Sequence, residues 1–264
     1  MDRLHLPSPL NTTLNVRQKE LLTAIQRAGF ATVEQLSAQF RVTPQTIRRD
    51  IKLLTDDNLL RRFHGGVGLY SNAENSAYPA RQGFFPEQKR RIAALLAQHI
   101  PDGASLFINL GTTTEEVARA LAQHRNLRVI TNNMHVASIM SNYAGIEVIV
   151  TGGIMRARDG GLTGEAAIDF INRFQVDFGI IGISGIENDG TLREFDYREV
   201  RVSEAIIKHS RTVFLAADHS KFDRPALVRL GHLAQIDSLF TDREPPEALR
   251  ATLNTVSTRV LVAK

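Results

Sequence analysis

The sequence predicts an α/β protein with an N-terminal winged helix-turn-helix domain and a larger domain built on a mostly parallel sheet. Two patterns predict this division. Residues 16–70 hold three short amphipathic helical segments followed by a basic hairpin, and from residue 87 onward helical segments alternate with β-rich runs. Alternating strands and helices are typical of a parallel sheet covered by helices on both faces.

The chain is expected to divide into four segments. Residues 1–15 contain Pro7 and Pro9 without apolar periodicity and are predicted to be a tail, and residues 16–70 form the winged helix-turn-helix domain. Residues 71–86 are rich in Ser, Asn and Pro, which is typical of a linker. Residues 87–264 form the second domain, a predicted sensor.

The start and stop signals of the first domain predict its helices in order. A first helix is predicted over Val16–Ala28, and Thr32 can cap a second helix. After a short turn, Thr43 can cap a third helix with Pro44 in its first position, where the missing N–H costs nothing. In a helix-turn-helix, the second member of the helix pair enters the major groove of DNA.

The third helix has two chemically different faces. Ile47, Ile51 and Leu54 fall at i, i+4 and i+7 and form one apolar stripe. The opposite face carries Gln45, Arg48, Arg49 and Lys52. We expect Arg48 or Arg49 to reach a guanine edge and Gln45 to reach an adenine.

Other polar residues of this domain are assigned to the DNA backbone or to the fold. Lys52, Arg61, Arg62 and Arg17 are expected to hold phosphates. Asp50 lies at the edge of the apolar stripe, so we expect it to partner a nearby cation. The complete set of expected DNA contacts is Arg17, Thr43, Gln45, Thr46, Arg48, Arg49, Lys52, Arg61, Arg62 and His64.

Charge and composition limit the possible functions. Residues 1–70 hold 10 Lys or Arg and 6 Asp or Glu, and the remainder is neutral, so the net charge of +4 lies in the N-terminal domain. Such an excess is typical of a nucleic-acid-binding module. The apolar runs are far shorter than the ~20 residues that span a bilayer, and no secretory signal is visible. We therefore expect a cytoplasmic protein with no membrane partner.

The second domain is predicted from alternating segments. Strands are predicted over 105–109, 128–131, 147–151, 178–183, 212–216 and 238–241, and helices over 88–99, 114–124, 134–143 and 200–209. Ligands of such sheets bind at the carboxyl ends of the strands. Turns rich in Gly, Thr, Asn and Ser follow five of these strands, and Lys221 follows the fifth. Glycine and helix N-termini favour a bound anion, so these turns predict a pocket for a small polyhydroxylated phosphate ester.

The acidic residues of the second domain allow three interpretations. Glu194, Asp196 and Glu199 could transfer protons in an enzyme, accept hydrogen bonds from ligand hydroxyls in a sensor, or lie in a solvated loop. No Gly-x-Ser-x-Gly elbow, Walker-type phosphate loop or metal-ligand spacing of histidines is present, and the chain has no cysteine. We expect no catalytic residues, no metal ion and no cofactor.

The motifs resemble those of the DeoR family of bacterial sugar-metabolism repressors. The resemblance rests on TPQTIRRD at 43–50 and RFHGG at 62–66. Residues up to about 242 are similar to that family's sensor domain, whose fold resembles ribose-5-phosphate isomerase and the CoA transferases. The segments at 159–165, 182–186, 194–197 and 218–222 look most like family members that respond to glycerol-3-phosphate.

The resemblance implies a repressor of a carbon-catabolism regulon that leaves its operators when a phosphorylated metabolite binds. The effector contacts that it implies are Gly111, Thr112, Thr113, Thr131, Asn132, Gly152, Gly153, Gly182 and Lys221, to which we add Glu194 from the acidic residues. One departure is Asn109, because family members commonly carry Asp before the Gly-Thr-Thr turn. This change removes one acceptor for a ligand hydroxyl.

Two rival interpretations remain open. One is a sugar-phosphate isomerase or CoA-transferase-like enzyme with an appended DNA-binding module, and the other is a DNA-binding scaffold without a ligand. On the repressor interpretation the partners are operator DNA and a phosphorylated small-molecule effector. Two helix-turn-helix modules reading a repeated site require a homo-oligomer, a dimer or a tetramer.

Overall fold

The computed structural model describes residues 14–28, 30–57, 59–63, 66–69 and 78–264. The chain divides into two compact units, Met1–Ser71 and Asn72–Lys264. The second unit therefore begins earlier than the expected start at residue 87, and it includes most of the segment expected to be a linker.

The described part of the N-terminal unit has the predicted order of elements. Its bounds are α1 (Val16–Ala28), β1 (Phe30–Ala31), α2 (Val33–Phe40), α3 (Pro44–Asp56), β2 (Leu60–Phe63) and β3 (Gly66–Leu69). The predicted hairpin is confirmed, because β2 and β3 pair antiparallel. The two-residue strand β1 also pairs with β3 and gives a three-stranded wing, which the sequence pattern does not predict.

Local capping explains where the helices of this unit begin. The Thr32 hydroxyl accepts a hydrogen bond from the Gln35 backbone, and the Gln35 side chain accepts one from the Thr32 backbone, which is a complete capping box. Thr43 caps α3 in the same way through the backbone N–H of Thr46. Both helix starts are confirmed.

The apolar stripe of α3 packs into the core of the N-terminal unit. Ile47, Ile51 and Leu54 are all buried there, together with Leu21 and Leu36 from the first two helices. Each fully buried side chain of this size contributes about 1.5–3 kcal/mol. Burial of this stripe therefore determines which face of α3 is exposed to solvent.

The second unit alternates helices and strands as predicted. Its elements are α4 (Tyr78–Gly83), α5 (Pro86–Ala97), β4 (Ser105–Ile108), α6 (Thr112–Ala120), β5 (Arg128–Thr131), α7 (Met134–Met140), β6 (Glu147–Val150), β7 (Ile154–Met155), β8 (Leu162–Thr163), α8 (Glu165–Ile171), β9 (Val176–Ile181), β10 (Gly185–Ile186), β11 (Thr191–Glu194), α9 (Tyr197–Lys208), β12 (Ser210–Ala216), β13 (Val228–His232), β14 (Ser238–Thr241), α10 (Glu247–Leu253) and β15 (Arg259–Val262).

A seven-stranded sheet forms the centre of this unit. Its order is β15-β14-β12-β9-β4-β5-β6, and each neighbouring pair is parallel. Both faces are covered, since Phe107 packs in one apolar cluster while Leu106 and Ile108 pack in the other. The predicted parallel sheet is confirmed.

Parallel pairing brings the carboxyl ends of all seven strands to one edge of the sheet. The segments that follow β4, β5, β6, β9 and β12 therefore meet at this edge, as the sequence predicts. Two small antiparallel sheets are formed by the segments that follow these strands, with the orders β10-β11-β13 and β7-β8. We call this edge, with the segments that follow these five strands, the carboxyl edge.

Several elements differ from the sequence-based expectation. The helix α4 occupies residues that were expected in the linker, and β15 adds an edge strand that was not predicted. Both are short, and their formation depends on partners distant in the sequence. Among the described residues, none of the helices is both long and apolar enough to cross a bilayer.

Candidate DNA-binding surface and effector pocket

The outer face of α3 is exposed, polar and cationic. Gln45, Arg48, Arg49 and Lys52 are all exposed, on the side of the helix opposite its buried stripe. Thr43 is also exposed and Thr46 is half-buried at the start of the helix. The structure therefore presents these expected DNA contacts on one continuous face.

Asp50 fixes α3 against α1. This carboxylate is buried and accepts hydrogen bonds from Arg17 Nε at 2.7 Å and from Gln18 Nε2 at 3.1 Å. Beside Asp50, the pKa of Arg17 is raised by that hydrogen bond and by the opposite charge. Asp50 thus has the expected structural partner. Arg17 has a role in the fold alongside the phosphate contact expected of it.

The wing lies next to the N-terminal half of α3. Arg62 of β2 is exposed, and its Nη2 lies 3.4 Å from the carbonyl oxygen of Arg48, which accepts its hydrogen bond. Arg61 lies in the same strand, and His64 falls outside the described residues. One contact therefore connects the wing with the helix that carries the expected base contacts.

At the carboxyl edge, two glycines allow the segments that follow β4 and β9 to approach each other closely. Gly111 has a φ of 144° and stands at the start of α6, where a side chain would be strained. A Cβ on Gly182 would lie 3.2 Å from the carbonyl oxygen of Leu110. The expected residues Gly111 and Gly182 thus bring the ends of β4 and β9 together.

The threonines that follow Gly111 are buried and have different hydrogen bonds. Thr112 Oγ1 donates to the carbonyl oxygen of Arg81 at 3.4 Å, and Thr114 Oγ1 donates to the carbonyl oxygen of Asn109 at 2.7 Å. Thr113 is buried between them. Thr112 and Thr113 remain candidates for an anion at the N-terminus of α6, whereas Thr114 serves the turn.

Other expected effector residues have mainly structural contacts. Thr131 Oγ1 donates to the carbonyl oxygen of Ile108 at 2.6 Å, and Asn132 Nδ2 donates to that of Leu162 at 3.3 Å. Gly153 lies against β8, where a Cβ would come within 2.6 Å of the Thr163 carbonyl oxygen. Its neighbour Gly152 is exposed.

The acidic residues after β10 separate into two groups. Asp196 and Glu199 both accept hydrogen bonds from the buried guanidinium of Arg156, at 3.1 and 2.9 Å. Although burial acts to raise it, hydrogen bonds from Arg198 and the charges of Arg156 and Arg198 lower the pKa of Asp196 to about 2. Asp196 and Glu199 therefore anchor α9 and the loop that holds Arg156, and the solvated-loop interpretation is wrong for them.

Glu194 lies in a different environment. It is buried, and its Oε2 accepts a hydrogen bond from Ser184 Oγ at 2.7 Å. Burial, together with the charge of Glu199, raises the pKa of Glu194 to about 8. Glu194 is thus the member of the acidic trio that interacts with Arg81 and Arg224 at the carboxyl edge, and its contact with an effector stays a prediction.

Four cations gather at this edge, and three of them were not predicted. They are Lys221, Lys89 from α5, Arg81 from α4 and Arg224. Burial, together with the charges of Arg224, Lys89 and Arg81, lowers the pKa of Lys221 to about 7. We call these four residues the cation cluster.

Burial and neighbouring positive charge also lower the pKa values of other members of the cation cluster. Burial lowers the pKa of Lys89 to about 8 and that of Arg224 to about 10, with Arg81 contributing to both shifts. The negative charge of Asp218 acts in the opposite direction and raises both of these pKa values. Although its burial acts in the opposite direction, Lys221 and Lys89 hold the pKa of Asp218 below its usual value.

Sequence reasoning missed Arg81, Lys89 and Arg224 because none of them directly follows a strand. Arg81 and Lys89 precede the first strand of the sheet, and Arg224 lies beyond the short turn that contains Lys221. One signal in the sequence could have identified Lys89. It is a charged residue on the otherwise apolar face of an amphipathic helix, and in the structure it is buried beside Ile92 and Ala93.

Asn109 is an internal structural residue. Its Oδ1 accepts a hydrogen bond from the Leu110 backbone at 2.7 Å, and its Nδ2 donates to Ser203 Oγ at 2.7 Å. Both functional atoms of the amide are thereby used within the protein. An aspartate at this position could not donate to Ser203, so the asparagine matches its present neighbours.

The fold and the two sites define a DNA-binding regulator with a winged helix-turn-helix unit and an α/β unit. A family model for the DeoR-like helix-turn-helix domain matches residues 17–73, and a model for the DeoR C-terminal sensor domain matches residues 85–243. The chain belongs to the DeoR family.

Relatives of known function cover nearly the whole chain. It is 46% identical to the glycerol-3-phosphate regulon repressor of Escherichia coli (strain K12), over 90% of this chain and 94% of that protein. It is 45% identical to the protein of the same name from Haemophilus influenzae, over 94% and 96%. Among solved structures, ribose 5-phosphate isomerase A of Methanocaldococcus jannaschii aligns over 52% of this chain and 54% of its own, with 13% identity and a TM-score of 0.39.

Proposed function

We propose that this protein is a transcriptional repressor that binds operator DNA through α3 and is released when glycerol-3-phosphate occupies the carboxyl edge. The α3 helix and the wing supply the contacts to bases and phosphates. The relatives named for the glycerol-3-phosphate regulon support this choice of effector. As a regulator of genes, the protein would act in the cytoplasm, and as a reader of repeated sites it would be a dimer or a tetramer.

The observation that carries the effector proposal is the cation cluster. Its four cations lie close enough to repel one another, and this repulsion acts on Lys221 and Lys89 in spite of the neighbouring carboxyl groups of Asp218, Glu194, Glu115 and Glu116. Asp159 lies near Arg81 as well, but it is already paired with Arg156 at 2.7 Å. An anion bound among these cations would relieve their mutual repulsion, because an opposite charge nearby favours the charged form of each. A phosphate monoester, which is a dianion at neutral pH, has the complementary charge.

Unpaired acceptors support a ligand that also carries hydroxyl groups. Among the described residues, Asn132 Oδ1, Thr151 Oγ1 and Asp218 Oδ2 are buried at the carboxyl edge without a hydrogen-bond partner. A buried acceptor without a partner costs about 1–3 kcal/mol. The hydroxyl groups of a polyol phosphate could supply the missing donors.

A ligand screen tests the effector proposal. The melting temperature of the full chain is measured with glycerol-3-phosphate, glycerol, fructose-1-phosphate and deoxyribose-5-phosphate. We expect glycerol-3-phosphate to give the largest increase, because a ligand at 100 times its Kd stabilises the folded state by about 2.7 kcal/mol. Lys221→Ala should lose this increase. An equal increase with glycerol, or none with any phosphate ester, would contradict the proposal.

The pocket is also proposed to bind its ligand without turnover. The one observation that favours an enzyme is the presence of Glu194 and Lys221, two groups with pKa values of about 8 and 7 in one site. The hydrogen bond from Ser184 holds Glu194 in place, and the cations around it suit the binding of an anion. Conversion of ribose-5-phosphate by the full chain, lost in Glu194→Gln, would establish the enzyme instead.

A further inference from the structure

The helix α4 is hydrogen-bonded to Lys89 and Thr112, which belong to the pocket proposed to hold the effector at the carboxyl edge. The carbonyl oxygen of Arg81 accepts hydrogen bonds from Lys89 Nζ and from Thr112 Oγ1. Lys89 belongs to the cation cluster, and Thr112 begins the helix expected to bind the phosphate. Two of the pocket's donors are thus directed to the backbone of α4.

A second set of contacts holds the first residue of α4. The Tyr78 hydroxyl donates to Glu115 Oε2 at 2.8 Å, and the Tyr78 ring stacks on His135 with centroids 4.8 Å apart and planes 8° apart. Glu115 lies in α6 and His135 in α7. These two helices begin directly after β4 and β5, so α4 is fixed to the beginnings of two helices at the carboxyl edge.

The position of α4 in the chain makes these contacts relevant to regulation. It is the first described element after the wing strand β3, and it belongs to the compact unit that contains the pocket. A change in how α4 is held would therefore reach the chain that leads to the DNA-binding unit. An element that contacts one site and follows the other site's unit in the chain is a natural place for coupling between the two.

We propose that α4 couples the pocket to DNA binding: a bound phosphate takes the Lys89 ammonium and the Thr112 hydroxyl from the Arg81 carbonyl, and α4 loosens. This inference rests on the proposed function, and it adds the route by which the effector acts. Effector binding and attachment of α4 then compete for the same donors. By linkage, whatever weakens the attachment tightens effector binding and weakens operator binding.

The attachment can be weakened without altering the pocket's donors. Tyr78→Phe keeps the ring stacked on His135 and removes the hydrogen bond to Glu115 together with the one that Gln82 Nε2, also in α4, donates to the Tyr78 hydroxyl at 2.8 Å. Since a hydrogen bond to a charged group changes an equilibrium by about tenfold or more, we expect operator affinity without effector to fall by about tenfold. Affinity for glycerol-3-phosphate should rise by a similar factor. Tyr143→Phe, beyond the far end of α7, is the matched control and should change neither.

Hydrogen exchange of the unmodified full chain provides a measurement that does not depend on any variant. With saturating glycerol-3-phosphate, the backbone amides of residues 78–83 should exchange faster, whereas glycerol should leave them unchanged. Unchanged or slower exchange with effector bound would overturn the inference, as would Tyr78→Phe behaving like Tyr143→Phe. If glycerol-3-phosphate binds and releases the operator without loosening α4, only this inference fails. If glycerol-3-phosphate does not bind, both the proposed function and this inference are wrong.

Discussion

At the scale of single residues, the exposed face of α3 presents side chains suited to two kinds of DNA contact. Arg48 can donate two hydrogen bonds to one guanine, which reads sequence, whereas a lysine such as Lys52 neutralises a phosphate on any sequence. The wing contact from Arg62 to the Arg48 carbonyl helps to hold this part of the helix. Selectivity and affinity should therefore respond to different substitutions.

Arg48→Ala is expected to remove discrimination between the operator and random DNA. The loss of one bidentate base contact costs about 1–3 kcal/mol on the operator alone. Lys52→Ala is the matched control, and it should weaken both DNAs equally and reduce the salt slope by about 0.9. Binding to labelled operator and random duplexes over a salt series measures both effects. Equal losses on the two DNAs for Arg48→Ala would show that Arg48 contacts the backbone.

The titrating residues of the pocket predict that effector affinity depends on pH. A bound phosphate favours the charged form of Lys221, so it raises that pKa from about 7 and binding takes up a proton. Affinity should then fall as the pH rises from 7 to 9, by up to about tenfold per pH unit. Lys89 and Glu194, each with a pKa of about 8, act in the same direction.

Calorimetry in buffers of different ionisation enthalpy measures this proton uptake directly. In Lys221→Arg the guanidinium stays charged over the whole range. Its affinity should therefore change less between pH 7 and 8 than that of the parent. Affinity for glycerol-3-phosphate that is constant from pH 7 to 9 in the parent protein would mean that the phosphate does not lie beside these groups.

At the scale of elements, Arg156 holds the loop between β7 and β8 against the start of α9. Its buried guanidinium binds Asp159, Asp196 and Glu199. Asp196 also caps α9 through the backbone N–H of Arg198. This group of ion pairs therefore connects the loop between β7 and β8 with the N-terminus of α9.

Replacing Arg156 with Met should destabilise the second unit by about 3–5 kcal/mol, because buried carboxylates lose their partner. Arg158→Met is the control. Its side chain contacts Asp159 and Asp196 but is 55% exposed, so its loss should cost about 0–1 kcal/mol. Denaturant unfolding of both variants measures the difference. Similar stabilities for the two variants would show that Arg156 is not an anchor.

Elements with local signals could be predicted from the sequence. The starts of α2 and α3 follow from Thr32, Thr43 and Pro44, because a cap and its helix are neighbours in the chain. The strands β1 and β7 have two residues each, and their pairing depends on partners far along the chain. Such short elements leave no periodicity to detect.

The candidate site could be predicted only in part. Parallel pairing places every turn after a strand at one edge, so Gly111, Gly182 and Lys221 could be found from the pattern alone. The other members of the cation cluster come from α4, from α5 and from beyond the turn that contains Lys221. Only the folded chain brings them close to Lys221. The structural roles of Thr131 and Gly153 could not be separated from ligand binding without knowing their neighbours.

At the scale of the whole molecule, the two units carry complementary functions. The N-terminal unit presents a cationic helix face and the second unit concentrates buried cations at the carboxyl edge. On the proposed route, α4 transmits effector binding at the carboxyl edge toward the preceding chain, which leads back to the winged helix-turn-helix. A ligand can shift such an equilibrium only by its differential affinity for the two states.

Release of operator DNA by glycerol-3-phosphate is the most direct test of this account. The fluorescence anisotropy of a labelled operator bound to the full chain is followed while glycerol-3-phosphate or glycerol is added. We expect glycerol-3-phosphate to release the DNA and glycerol to leave it bound, and Lys221→Ala to bind DNA normally but resist release. Release of Lys221→Ala at the same effector concentration as the parent, or retention of the operator by the parent at saturating glycerol-3-phosphate, would contradict the account.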